Sequence, residues 1–470
     1  MSVNRLSIYY FSIRIIAGSY LHESSILQYL YSVYSETITR VLLFFGNYLL
    51  ALRCLLHAKK HVSARVFGGR RERLYASLVS SRCYGESGLL PVSENGILKQ
   101  YINSYFATRL RNIYSRRPLN DLVHLRTYNQ WNSPVNQDNL IILKSCNLGN
   151  NEKGVILIKY NPYIHAFPAL FDLSKLAGKY AIVLEPSWWG YQHIRFFFYL
   201  GRDLEVYIQA QYAPDFEFIR SLDSNLIPVD IGPSDWTDPE IFRPDSGNIK
   251  IYDIVMIASW SPFKRHKVLF RTLNNIKRKT GRPLKVALIG YQWDWSIKNI
   301  QELVRKYKLE EDCQIYENIP HEQVASIIMS SRISVFLSKT EGSPKALYES
   351  IFCGTPVIVH RDNKGINLSR INSKVGLLTN DNELMDNILT MLENADKYQP
   401  DIWAVANSGY INTTKLLNSI MKKNAVATGK KWTAEIVCKK NSPNLKYTEP
   451  DNYKQFHDEY LSLENYLIPG

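Results

Sequence analysis

The segment Ile333–His360, ISVFLSKTEGSPKALYESIFCGTPVIVH, reads as strand, loop, helix and strand in succession. The apolar run Ile333–Leu337 suits a covered strand and Lys345–Cys353 suits a helix. Pro344 fits the first helical turn, where its missing N–H costs nothing, and Gly354 stands where a left-handed C-cap is wanted. The loop SKTEGSP therefore ends at a helix N-terminus. Unpaired N–H groups and the helix dipole there favour an anion such as a diphosphate. Glu341 stands in that loop and Glu349 inside the helix, roughly two turns apart, so they can address different parts of one extended ligand. A carboxylate is a good bidentate acceptor for a pair of sugar hydroxyls. Two glutamates at this spacing, taken alone, read as solvated charges; their neighbours give them weight.

The same alternation runs through the residues on both sides. Strands are expected at Ile251–Ala258, Leu284–Ile289, Cys313–Tyr316, Pro356–Val359 and Val375–Leu378. Helices are expected at Phe263–Lys279, Ser296–Tyr307, His321–Ser330 and Asn382–Asn394. Strict alternation implies a doubly wound sheet with right-handed crossovers, whose ligands bind outside the carboxyl ends of the strands. Upstream, Asn139–Lys144, Val155–Tyr160, Tyr180–Leu184, Glu205–Gln209 and Asn225–Val229 are Ile-, Val- and Leu-rich. Strands of that kind are covered on both faces, which implies a second parallel sheet. Between Pro228 and Pro244, PVDIGPSDWTDPEIFRP holds four prolines and three aspartates and reads as an interdomain linker. The expected fold is α/β: two Rossmann-like doubly wound units facing a cleft, with a helical, basic N-terminal extension. The units are 126–235 and 245–400. Residues 1–125 form the extension, and 401–470 a helical tail that packs back on the body.

At 470 residues the chain exceeds the size at which one core keeps growing. Hydrophobic residues make up 45% and charged residues 21%, which excludes a disordered chain. The six cysteines are scattered without a C-x-x-C pair, so neither a zinc site nor a disulfide framework is expected. The net charge is +14, and residues 1–120 carry 16 Lys and Arg against five Asp and Glu. That excess favours anionic partners: phosphorylated substrates or an acidic membrane surface. Nucleic acid ranks last, for want of a recognition motif. The apolar stretch Val41–Leu56 is too short and too interrupted to span a bilayer, though with the basic cluster after it, it is a candidate to lie on one. No signal peptide is expected, because Arg14 and His22 break the early tract. The expected place is the cytoplasm, with the basic N-terminal region as a candidate contact to a membrane's cytoplasmic face.

EGSPKALYESIFCGTPVI (residues 341–358) resembles the signature of retaining glycosyltransferases of family 4, which have the GT-B fold. That signature is Glu-x7-Glu in a loop and helix ending in Cys-Gly-x-Pro-Val, and both glutamates, Pro344, Lys345, Cys353, Gly354, Pro356 and Val357 fall in register. By resemblance Glu349 holds the donor ribose, and Glu341 approaches the donor sugar near the reacting centre. Gly342, Ser343, Pro344 and Lys345 then face the sugar and phosphates. ASWSPFKRH (Ala258–His266) falls where the family sets basic residues against the diphosphate, which makes Lys264 and then Arg265 the catalytic cations. Such cations stabilise the charge that a leaving nucleoside diphosphate gains. The family's usual strand-end Gly and following Arg are Ala258 and Ser259 here. ALIGY (Ala287–Tyr291) resembles the second strand end, where Gly290 lets the backbone approach the nucleotide. ENIPHEQVASII (Glu317–Ile328) resembles the segment beside the base, with Ile319 and Pro320 as contacts and His321 as a helix-start residue.

The resemblance is strong over residues 228–395 and faint before them. The family's glycine-rich loop and histidine in the first unit are matched only by Leu148–Gly154 (LGNNEKG) and His165. Glu185, Trp188 and Trp189, in LEPSWWGYQ, are the remaining acceptor-side candidates, the tryptophans for stacking on a sugar face. The implied activity is transfer of a hexose from a UDP- or GDP-sugar to a glycan or lipid-linked acceptor, with retention. It needs no cofactor beyond the donor, and no Asp-x-Asp is placed for a metal. The rival readings are a nucleotide-sugar epimerase or hydrolase of the same fold, and an inactive nucleotide-sugar- or glycan-binding scaffold at a membrane.

Overall fold

A computed structural model describes residues 25–44, 135, 139–187, 199, 203–221, 224–245, 247–441 and 445–467. Helix α1, Ser25–Phe44, places Tyr31 in the first core; the rest of the Val41–Leu56 stretch lies outside the described residues. No helix among the described residues is long and apolar enough to cross a membrane.

The first sheet contains β1 (Leu140–Lys144), β2 (Gly154–Lys159), β3 (Tyr180–Glu185), β4 (Val206–Gln209) and β5 (Leu226–Val229), in that spatial order. β2 to β5 are parallel, and β1 runs antiparallel to β2. Helices α2 (Asn161–Leu170), α3 (Leu173–Ala177) and α4 (Ala213–Ser221) connect them. Every residue of β1 to β4 is buried, as strands rich in Ile, Val and Leu require. β1 is an edge strand, and the C-terminal tail covers its outer side. Tyr447 Oη donates to the Ile142 carbonyl at 2.6 Å, the Ile142 N–H donates to Tyr460 Oη at 3.2 Å, and the Val437 N–H donates to the Leu143 carbonyl at 2.8 Å. An edge strand with satisfied backbone groups offers no template to another chain.

The second sheet has β6 (Tyr252–Ile257), β7 (Val286–Gly290), β8 (Cys313–Glu317), β9 (Ser331–Phe336), β10 (Val357–His360) and β11 (Gly376–Thr379). Its order is β11-β10-β9-β6-β7-β8, all parallel. Strand order therefore reverses between β6 and β9, as a doubly wound sheet requires, whereas the described strands of the first sheet follow chain order. Helices α5 (His266–Thr280), α6 (Ile297–Lys306), α7 (His321–Met329), α8 (Lys345–Phe352) and α9 (Leu384–Asn394) flank it. Ile254 and Met256 of β6 point to the core under α5, α6 and α9, and Val255 to the core under α7 and α8. α5 buries His266, Leu269, Phe270, Leu273 and Ile276, the one-stripe spacing of an amphipathic helix, and Gly281 at φ +69° ends it.

The Pro-rich stretch between the units is not an exposed linker. Pro233, Ser234, Asp235 and Trp236 form a buried turn. Asp235 accepts from the Gly232 N–H at 2.8 Å, Arg370 Nη1 at 2.7 Å and Ser408 Oγ at 2.8 Å, tying the crossing to the second unit and to the helices after it. Those helices are α10 (Pro400–Asn407) and α11 (Tyr410–Ala427), and α11 packs on the first core through Leu417 and Met421.

Candidate functional site

The crevice outside the carboxyl ends of β6 and β9, where strand order reverses, opens into a cleft of about 570 Å³. Lys264 reaches it from a short turn, Pro262–Lys264, and Glu341 from the loop after β9. Lys264 Nζ lies 2.7 and 2.8 Å from the two Glu341 carboxylate oxygens, and Ser338 Oγ also donates to that carboxylate. The Glu341 N–H donates to the Lys364 carbonyl at 2.8 Å, which fixes the loop. The two residues read as diphosphate cation and sugar-facing carboxylate thus form one ion pair at the cleft. Arg265 is separated from Lys264. It sits at φ +66°, its guanidinium donates to the Leu337 carbonyl at 3.1 Å and to Asp381 at 2.6 Å, and it is not part of the cleft lining.

Helix α8 supplies the opposite wall. Pro344 caps it rather than occupying its first turn, and Gly354 beyond its end has φ +74°. Pro344, Lys345 and Glu349 all line the cleft. Burial in the helix pushes the Glu349 carboxyl up to about 7, against the pull of the Lys345 charge. Its carboxylate has no hydrogen-bond donor among the described residues. Burial also lowers Lys345, whose Nζ donates to the Asn441 carbonyl at 3.0 Å. A buried acceptor facing a cleft at a helix N-terminus is suited to a ligand that brings hydroxyl donors and a phosphate.

Gly342 and Ser343 face the first unit. The Ser343 hydroxyl accepts from the Ser234 N–H at 2.9 Å and lies 2.6 Å from the Ser234 hydroxyl. Gln211 Nε2 reaches the Gly342 and Gly365 carbonyls at 3.5 and 3.1 Å. Gly290 lines the cleft, but its lack of a side chain has a nearer cause: a Cβ there would stand 2.3 Å from the Ala258 carbonyl. Ile319 lines the cleft, and Pro320 is the cap of α7.

The first unit departs most from its reading. LGNNEKG is the hairpin turn between antiparallel β1 and β2. It lies at the amino ends of the parallel strands, away from the ligand edge, so it is not the expected glycine-rich loop. Glu185 ends β3 but is fully buried, bound by Lys439 at 2.5 Å, Asn441 at 2.6 Å and Gln209 at 3.3 Å, which makes it the anchor of the tail. His165 is in α2 with its side chain outside the described residues, as are Trp188 and Trp189 altogether.

Sequence reading gave Ser259, Tyr291 and Asn318 no part in the site, and His321 only a structural one, yet all four line the cleft. The signal was their place after β6, β7 and β8, at the carboxyl edge of the sheet. Burial and the Lys345 charge lower His321, favouring its neutral form.

No curated protein matches the chain by sequence. Among solved structures, a sucrose-phosphate synthase from Thermosynechococcus elongatus is 17% identical, with a TM-score of 0.46 over 58% of this chain and 74% of that one. Anabaena HepE, solved in complex with UDP, is 13% identical, with a TM-score of 0.46 over 59% and 80%. The C-terminal domain of a glycosyl transferase group 1 family protein from Francisella tularensis is 15% identical, with a TM-score of 0.32 over 36% and 97%. Residues 239–401, which carry both glutamates, Lys264 and the whole cleft lining, match the family of glycosyl transferases, group 1.

Proposed function

We propose that the protein is a glycosyltransferase that moves a hexose from a UDP- or GDP-sugar to a glycan or lipid-linked acceptor, with retention at the anomeric carbon. The observation that carries this reading is the cleft itself. Glu349, Lys264 and Glu341 converge where the strand order reverses, inside the segment matched by the family. In this reading Glu349 takes the ribose hydroxyls as a bidentate acceptor. Lys264 turns from Glu341 to the diphosphate and stabilises the charge developing on the leaving group. Glu341, relieved of its partner, meets the donor sugar. Closure of the units over the donor excludes water, and the contacts of Ser343 with Ser234 support a closed arrangement.

Calorimetric titration with UDP, GDP and ADP, on wild type and Lys264→Ala, is the first test. Binding of one diphosphate, weakened tenfold or more in the variant (about 1.4 kcal/mol), is expected. Failure of all three to bind a folded wild-type protein would remove the donor role. The anomeric configuration of the first product, read by NMR, tests retention. Glu341→Gln is expected to lower turnover more than donor affinity.

A further inference from the structure

We propose that Trp293, braced by the perpendicular ring of Tyr291, forms a stacking platform for a sugar ring of the acceptor beside the donor cleft. The inference rests on the transferase reading and adds the chemical class of what the acceptor presents there. Both residues follow β7 at the ligand edge of the second sheet. Tyr291 lines the cleft, and Trp293 stands two residues farther along. They are 50% and 54% exposed, and their rings meet edge to face with centroids 6.4 Å apart. Large aromatic side chains are mostly buried, so an adjacent pair left open beside a cleft marks a binding surface.

This loop is not frayed. The Trp260 N–H donates to the Tyr291 carbonyl at 2.8 Å, the Trp295 N–H to the Trp260 carbonyl at 2.9 Å and the Trp293 N–H to the Trp295 carbonyl at 3.2 Å. Ser261 Oγ adds a hydrogen bond to Asp294. Trp260, at the centre of these bonds, is itself fully buried, with Nε1 donating to Glu317 at 2.7 Å. A loop pinned this way presents its two rings already in place, so a ligand does not have to order it.

The neighbours select the kind of ligand. Between Ala287 and Ser296 the sequence ALIGYQWDWS holds no Lys or Arg, and exposed Gln292 and Asp294 flank the tryptophan. A surface that settles on a bilayer pairs its aromatics with cations. Aromatic faces beside an amide and a carboxylate suit a saccharide instead, whose C–H face stacks while its rim of hydroxyls donates and accepts.

The test uses the full chain on an array of immobilised glycans, with vesicles of phosphatidylcholine and phosphatidylglycerol and a UDP titration alongside. Wild type is expected to bind members of the array. Trp293→Ala should weaken that binding about tenfold, Trp293→Phe should keep most of it, and UDP affinity should not change in either variant. Equal array binding by wild type and Trp293→Ala, or no array binding by wild type, overturns the platform. So does vesicle binding that depends on Trp293, and so does a loss of UDP affinity in Trp293→Ala, which would give the ring to the donor. Array binding that depends on Trp293 in a protein that takes no nucleotide would leave the platform standing and remove the transferase reading.

Discussion

Glu349 sits in the cleft with a carboxyl that burial holds near 7 instead of its ordinary 4.5. Between those values the folded protein keeps a proton that the unfolded chain has released. Its contribution to stability therefore falls as pH rises from 4.5 to 7, by an amount on the order of 3 kcal/mol. Glu349→Gln removes the ionisation, so thermal melts without ligand should show a higher Tm than wild type at pH 8 and little difference at pH 4.5. Ribose hydroxyls are held best by the ionised form, so UDP affinity of wild type should rise from pH 5.5 to 7.5, and that of Glu349→Gln should be weaker and lack this rise. At this scale the sequence was informative where chemistry is local. Glu341, Glu349 and Lys264 reach the cleft because an eight-residue spacing and a strand end place them there. Arg265 does not, because a left-handed φ at the start of α5 turns its guanidinium toward Asp381, and nothing in the string KRH distinguishes the two cations.

Among the elements, the crossing at Pro233–Trp236 holds the two units in register. Arg370 joins it to the second unit, donating to the Asp230 carbonyl and to Tyr348 Oη as well as to Asp235. Asp235→Ala would leave the Gly232 N–H and the Ser408 hydroxyl without their acceptor and Arg370 with the Asp230 carboxylate alone, at 3.4 Å, and should cost about 1–3 kcal/mol in denaturant unfolding. Asp235→Asn keeps the acceptor and should cost less. Prolines and aspartates in a row say where a helix or strand must stop, but not whether the chain there is in water or between two domains. That is why the stretch read as a linker and proved to be buried. The strands of the two large sheets were legible, because continuous Ile and Val runs have few other homes; the two-residue strands Lys439–Lys440 and Lys446–Tyr447, in a tail expected to be helical, were not. The direction of β1 was not, since an apolar edge strand under a covering tail has the same composition as a central parallel one.

Over the whole molecule, the first sheet and the second are completed in different ways. The second core draws on residues 242–404, a continuous span. The first core includes Ile436, Leu445, Tyr447, Phe456, Tyr460, Leu463 and Tyr466, far along the chain from the strands they cover. Tyr447→Phe removes one donor to the β1 edge and should cost about 1 kcal/mol. Deleting residues 436–467 uncovers that edge together with its apolar face, so light scattering should show aggregation that Tyr447→Phe does not cause. A chain made from its N-terminus at about 5–20 residues per second therefore finishes its second unit first. Its first sheet leaves the ribosome before the second unit and waits, with one strand uncovered, for residues translated after that unit. For those seconds the nascent protein carries an uncovered strand edge, and a stop codon anywhere before Ile436 would leave that edge open.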